Sequence, residues 1–212
     1  MNMTVICPTV LADDTHVFRQ QMERVASFAK RVHIDFADGD FAPTKTISLK
    51  QAWWPEGIAA DLHVMYKNPS NEINRIIKLK PNLVVVHVEA EGNFTELAQE
   101  LHKVGIKVGL ALLPETELSK IEPVIDILDH VLIFAGKLGY FGGEPEIGKF
   151  VHRIKAIKAN YPNIEVGWDG GVTDKNTQEL AELGVDVLNV GGYIQRAANP
   201  QQRYQALTRI VS

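Results

Sequence analysis

The chain has 212 residues, 45 % hydrophobic and 23 % charged, with one cysteine and a formal net charge of -4. These are ordinary globular values for one domain spanning residues 1–212, and they exclude a fibrous or disordered chain. Charges of both signs are interspersed, so there is no basic stripe for nucleic acid, and no apolar run approaches the ~18 residues that would cross a membrane. Cys7 stands alone, which excludes an intramolecular disulfide and a thiolate metal cluster. The opening MNMTVICPTV lacks the basic, apolar and small-residue regions of a leader, which predicts a cytoplasmic protein.

Short runs rich in Val, Ile and Leu alternate with helical stretches along the chain, as in parallel strands joined by crossovers. The first strand is expected at Met3 to Ile6, followed by a helix over Val17 to Phe28. A second strand, Arg31 to Asp35, leads into a stretch from Phe36 to Gly57 in which a long loop and the Trp53-Trp54-Pro55 turn replace a clear helix, the tryptophans packing beneath that loop. Strand three, Ala59 to His63, precedes a helix over Asn71 to Leu79, and strand four, Leu83 to His87, one over Phe94 to Val104. In that last helix Phe94, Leu97, Ala98, Leu101 and Val104 recur at helical spacing and form its buried face. Strands five, Lys107 to Ala111, and six, His130 to Phe134, are followed by a helix over Ile147 to Asn160. Strand seven, Ile164 to Trp168, a helix over Lys175 to Leu183, strand eight, Val187 to Val190, and a helix over Pro200 to Val211 complete the pattern. Gly105 and Gly184 stand just past their helices as left-handed caps.

Periodicity alone leaves an open doubly wound sheet and a closed (β/α)8 barrel, the TIM barrel, both available. The polar residues favour the barrel. His33 and Asp35, His63, His87 and Asp169 lie at or just beyond the carboxyl ends of apolar strands, where barrel enzymes place their chemistry. His33 and Asp35 are two apart and so share one face of a strand. Two imidazoles with two carboxylates, His33, Asp35, His63 and Asp169, form a nitrogen and oxygen donor set for one divalent metal, zinc first, with manganese, iron(II) or cobalt as alternatives. His87, at the end of strand four, is read either as orienting that site from behind or as purely structural. His16, His102 and His152 fall on helices and are read as solvent-exposed, His130 opens its strand at the opposite end and is read as packing, and Cys7 is read as a small buried residue. Three glycine pairs, Gly142-Gly143, Gly170-Gly171 and Gly191-Gly192, follow strands six, seven and eight and suit a backbone cradle for an anion such as phosphate.

These segments resemble the ribulose-phosphate 3-epimerase family and its relatives acting on other ketose phosphates. The resemblance lies in the run from His33 to Pro43 (HIDFADGDFAP), in Leu62-His63-Val64-Met65, in Val86-His87-Val88-Glu89, in Asp169-Gly170-Gly171-Val172, in Cys7-Pro8-Thr9-Val10-Leu11 and in Val190-Gly191-Gly192. It implies an isomerase that removes a proton beside a ketone on one face and returns one on the other. On that pattern Asp35 and Asp169 serve as base and acid through a metal-stabilised enediolate. The same pattern places Thr9, His63, Met65, Phe141, Gly142, Gly143, Gly170, Gly171, Gly191 and Gly192 around a phosphorylated ketose. It also implies a homo-oligomer, since the family often assembles.

Departures fall around the substrate. Ala37 and Phe134 stand where the family has methionine, Thr9 and Gly192 where it has serine, and Asp40 where it has histidine; the sixth loop reads Lys137-Leu138-Gly139-Tyr140-Phe141-Gly142-Gly143, one residue longer and without its proline. The default expectation is 3-epimerisation of D-ribulose 5-phosphate to D-xylulose 5-phosphate. The alternatives are a six-carbon ketose phosphate such as D-allulose 6-phosphate, in a pocket enlarged at Ala37, and a non-catalytic phosphosugar-binding barrel. A sugar-phosphate decarboxylase would pair a lysine with aspartates on strand two, and His33-Ile34-Asp35-Phe36-Ala37-Asp38 offers none.

Overall fold

The computed structural model describes residues 4–140, 142 and 145–212. Eight parallel strands close on themselves in sequence order, with β8 paired back to β1, so the fold is a (β/α)8 barrel. The strands are β1 Val5–Val10, β2 Arg31–Ala37, β3 Ala59–Met65, β4 Leu83–His87, β5 Lys107–Leu112, β6 His130–Phe134, β7 Glu165–Asp169 and β8 Val187–Val190. The helices are α1 Thr15–Ala26, α2 Ile73–Leu79, α3 Phe94–Lys103, α4 Val151–Asn160, α5 Thr177–Glu182, α6 Gly192–Gln195 and α7 Pro200–Ile210. Among the described residues no helix is long and apolar enough to cross a membrane.

Five strands start or end differently from the alternation read along the chain, β5 by a single residue, at Leu112. β1 begins at Val5 and runs through Cys7 and Pro8 to Val10; Met3 lies outside the described residues. Pro8 is tolerated because this stretch of β1 pairs with β8 and the pairing with β2 begins only at Thr9, so the missing N–H breaks no ladder there. β2 and β3 each continue two residues further, to Ala37 and Met65, and β7 includes Asp169. Between β2 and β3 there is indeed no helix. That connection is instead pinned from below, with Ile47 and Leu49 buried and the ring of Trp53 edge-on to Phe18 at 6.1 Å. The β5–β6 connection holds only two 3-10 turns, Leu118–Lys120 and Glu122–Ile127, with Pro123 in the second. The helices expected from Asn71 and Ile147 open as 3-10 turns, and the one expected from Lys175 is confined to α5. The short helix α6 falls outside the expected pattern altogether.

Two-residue periodicity sorts the strand side chains. Val32, Ile34, Phe36, Leu62 and Val64 face outward and join the main core against α1 and its neighbours. The inward residues form layers along the barrel axis. A small apolar plug of Leu83, Val85, Ala111 and Leu132 fills one side. Beneath it, at the amino-terminal end, lies a charged layer. Arg31 donates to Asp61 at 2.5 Å and, through both terminal nitrogens, to the two oxygens of Glu165 at 2.8 and 2.7 Å. Asn82 completes Asp61 and the His130 ring completes Glu165, at 2.7 and 2.8 Å. His130 therefore packs, as its place in the strand suggested, and also closes an ion network. Gly167 on the neighbouring strand makes room for it, because a β-carbon there would collide with the imidazole.

Burial tends to raise the Glu165 carboxyl, but the Arg31 and His130 bonds outweigh it and hold that carboxyl well below the usual range. Replacing Arg31 with methionine leaves two carboxylates facing each other in the barrel. We expect Arg31→Met to lose about 3 kcal/mol of unfolding free energy in urea, the lower end for a broken buried pair because Glu165 is partly exposed. A loss under about 0.5 kcal/mol would mark the layer as dispensable.

Candidate active site and metal centre

The opposite, carboxyl-terminal end carries the second polar layer. β2 and β3 pair in a register that sets Asp35 directly beside His63, and His33 lies two residues below Asp35 on the same face. Asp169 at the end of β7 completes the group. One ligand atom from each of His33, Asp35, His63 and Asp169 lies within 4.8 Å of all the others. His63 Nδ1 is 2.9 Å and His33 Nε2 3.2 Å from Asp35 Oδ1, and the same two nitrogens are 3.8 and 3.7 Å from Asp169 Oδ2. Both imidazoles are fully enclosed, and the ring of Phe134 stands 5.7 Å from that of His63.

Such a cluster is electrostatically unequal. Burial would raise Asp35, but the His33 charge and the bonds from His33 and His63 overcome it, so Asp35 stays ionised. Burial and the Asp35 charge together push Asp169 up to about 7. Burial likewise drives His63 down to about 4, which keeps it neutral, whereas the two aspartates hold His33 above its ordinary value despite its burial.

The donor set fits a divalent cation, and the tautomers are compatible with one. For Nδ1 of His63 to present a lone pair, its proton must sit on Nε2, which lies 2.9 Å from His87 Nε2. His87 then carries its own proton on Nδ1, facing Glu89 Oε2 at 3.3 Å. Burial raises Glu89, yet its partners His87 and Thr116 outweigh that and keep it ionised, so the chain from Glu89 through His87 to His63 is consistent in charge. His87 thus stands behind the cluster.

Above the cluster opens a cavity of about 310 Å³, to which Asp35 and Asp169 contribute. Thr9, Met65, Gly142, Gly170, Gly171, Gly191 and Gly192 line it as well; His33 and His63 lie behind its wall, and Phe141 and Gly143 lie outside the described residues. Gly170 has φ +123, and a β-carbon there would strike the Ala135–Gly136 backbone, so only glycine lets the β7 loop pass the β6 loop. The cavity wall also holds Asn189, Thr173, Tyr193 and Arg196, none of which stood out in the sequence. Asn189 shares the inward face of β8 with Val187, a parity that could have been read. Arg196 follows Gly192 by four residues, one helical turn, but only α6 makes that spacing meaningful.

The Ribulose-phosphate 3 epimerase family model matches residues 5–195. The chain belongs to this family. It is 31% identical over 215 residues to ribulose-phosphate 3-epimerase of Mycobacterium leprae, covering 97% of this chain and 94% of that protein. The corresponding enzyme of Schizosaccharomyces pombe is 26% identical over 97% of this chain and 93% of its own. The fold is shared more widely, as with 3-hexulose-6-phosphate synthase from Salmonella typhimurium, at a TM-score of 0.69 and 14% identity over 100% of this chain and 98% of that one.

A cation held by these four residues would displace the proton that the metal-free site favours on Asp169, whose carboxyl is pushed up to about 7. Metal affinity should therefore fall about tenfold per pH unit on acidification below about 7, and more steeply where His33 also charges. Titration of the metal-free protein with zinc between pH 8 and 5.5 measures this, and a flat profile would contradict the assignment. In the same assay His87→Ala, which removes no ligand, should weaken zinc by about 10- to 100-fold.

Proposed function

We propose that this protein interconverts ketose phosphates differing at C3, with D-ribulose 5-phosphate and D-xylulose 5-phosphate as the pair. The observation that carries the reading is geometric: two carboxyl groups, Asp35 from β2 and Asp169 from β7, both reach the floor of one cavity, and in the metal-free protein Asp35 is held ionised while Asp169 is pushed up to about 7. Inverting a carbon beside a ketone requires one group to take a proton and another to supply one from the opposite side. Asp35 is the base and Asp169 the acid in one direction. After transfer Asp35 is protonated and Asp169 ionised, which is the starting state for the reverse.

His33, Asp35, His63 and Asp169 would hold the metal, zinc by donor type, which when bound supplies a Lewis acid that lowers the barrier to forming charge on the ketone oxygen. The chain's own contribution is positional. In the metal-free protein His33 and His63 both contact one oxygen of Asp35, Oδ1, and hold it in place, Met65 and Phe134 keep an apolar wall beside the reacting carbon, and the glycines of the β7 and β8 loops leave backbone open to an anion.

The packing at Ala37 supports the five-carbon pair. The space beside the small side chain of Ala37 is filled by Phe41, Ala42, Met65 and Leu138, and Ala37 does not line the cavity. A cavity of about 310 Å³ is at the small end for ligand sites. D-Ribulose 5-phosphate in deuterated water should exchange its C3 proton in the presence of the metal-loaded protein, and D-allulose 6-phosphate should react more slowly. Asp35→Asn and Asp169→Asn should each reduce exchange by about 10²- to 10⁴-fold. Metal binding without any exchange would sink the enzymatic reading and leave a phosphosugar-binding protein.

A further inference from the structure

The cavity floor carries a polar group that the proton chemistry does not use. Asn189 is 3% exposed, lies on the inward face of β8, and pairs in register with Asp169 on one side and Cys7 on the other. Its Oδ1 is fully enclosed and has no hydrogen-bond partner, and Thr9 Oγ1, two residues beyond Cys7 on β1, is in the same condition. Both residues line the same cavity as Asp35 and Asp169.

A buried amide oxygen without a donor costs about 1–3 kcal/mol. The Arg31 layer, by contrast, matches each of its inward polar side chains at 2.5 to 2.8 Å. Valine or leucine at position 189 would remove the penalty, as Val187 does one inward step below. The group left wanting a donor sits beside the acid that is to meet the substrate. The metal cluster does not call for it, because His33, Asp35, His63 and Asp169 already offer four donors of their own. Phosphate does not account for it either, since an ester dianion offers acceptors and the unmet atom is itself an acceptor.

We propose that Asn189 is a substrate-recognition residue whose amide, turned about its last torsion so that Oδ1 faces the cavity, accepts a hydrogen bond from a hydroxyl of the sugar chain, with Thr9 as its neighbour on β1. This inference rests on the polyhydroxylated ketose of the proposed function and adds a specificity-determining contact to it. The ligand class is defined by the donor: a sugar hydroxyl next to the carbon that Asp169 serves. Selectivity follows, because a site whose buried acceptor is met by a hydroxyl discriminates against analogues that lack it.

The test separates recognition from architecture by using opposite signs. Asn189→Leu keeps the side-chain shape but offers no acceptor. Its expected effects are a kcat/KM for D-ribulose 5-phosphate lower by about 10- to 100-fold, carried mainly by KM, and a melting temperature equal to or above that of the wild type. Inhibition by inorganic phosphate, which has no sugar hydroxyl, should stay within about twofold, and Asn189→Thr, which restores an oxygen, should recover part of the loss. A leucine variant that melts lower while keeping kcat/KM within about twofold would make Asn189 structural and overturn the proposal; so would equal activities for the leucine and threonine variants. If the wild type turns over no ketose phosphate, calorimetric binding of D-ribulose 5-phosphate decides. Binding about tenfold weaker in the leucine variant upholds the role of Asn189 while the enzymatic reading falls, and equal binding overturns the role.

Discussion

Barrel closure with β2 and β3 in one register is the constraint on which the rest of the molecule depends. It sets Asp35 beside His63 across a strand pair and points both inward, where burial and proximity do the electrostatic work. A slip of one residue would turn His33, Asp35 and their neighbours to the helix side and bring Val32, Ile34 and Phe36 into the barrel. The apolar outer face prevents this. Val32, Ile34, Phe36, Leu62 and Val64 all pack into one continuous core, so the fold that buries them also delivers the polar cluster.

The two ends of the barrel carry charge for different purposes. At the amino-terminal end each group of the Arg31, Asp61, Glu165 and His130 layer is met by a partner, and the layer is an element of stability. At the carboxyl-terminal end satisfaction is incomplete. Asp169 is forced towards its protonated form, and the oxygens of Thr9 and Asn189 have no partner. Unsatisfied polar groups beside a carboxyl raised towards its protonated form mark the end where a ligand is to be received.

Around the cluster the chain departs from the pattern of its family, yet the wall closes. Phe134 stands against His63 and His87, Phe41 lies 4.9 Å from the His87 ring, and Leu138 fills the volume next to Ala37. Methionine is thus replaced by aromatic and aliphatic carbon contributed from other loops. Arg196 and the glycines of the β7 and β8 loops line the same cavity as the two carboxylates.

Much of this was legible from residues alone. The alternation of Val-rich runs with helical stretches located all eight strands, and the i, i+2 spacing of His33 and Asp35 put both on one face because the strand period is two. His63 and Asp169 could be added since each ends an apolar run. Sequence therefore determined the class of fold and the donor set, both of which follow from local periodicity. Closure was read from the placement of the polar residues and not from periodicity; the sequence did not reveal the layer beneath the plug, the atoms through which His87 meets His63, or the enclosure of Asn189. Those depend on which strands become neighbours and on how far each extends, as β1 does through Pro8. Only tertiary structure decided them, because burial and an unmatched hydrogen bond are properties of what surrounds an atom, and those surroundings come from segments more than a hundred residues apart.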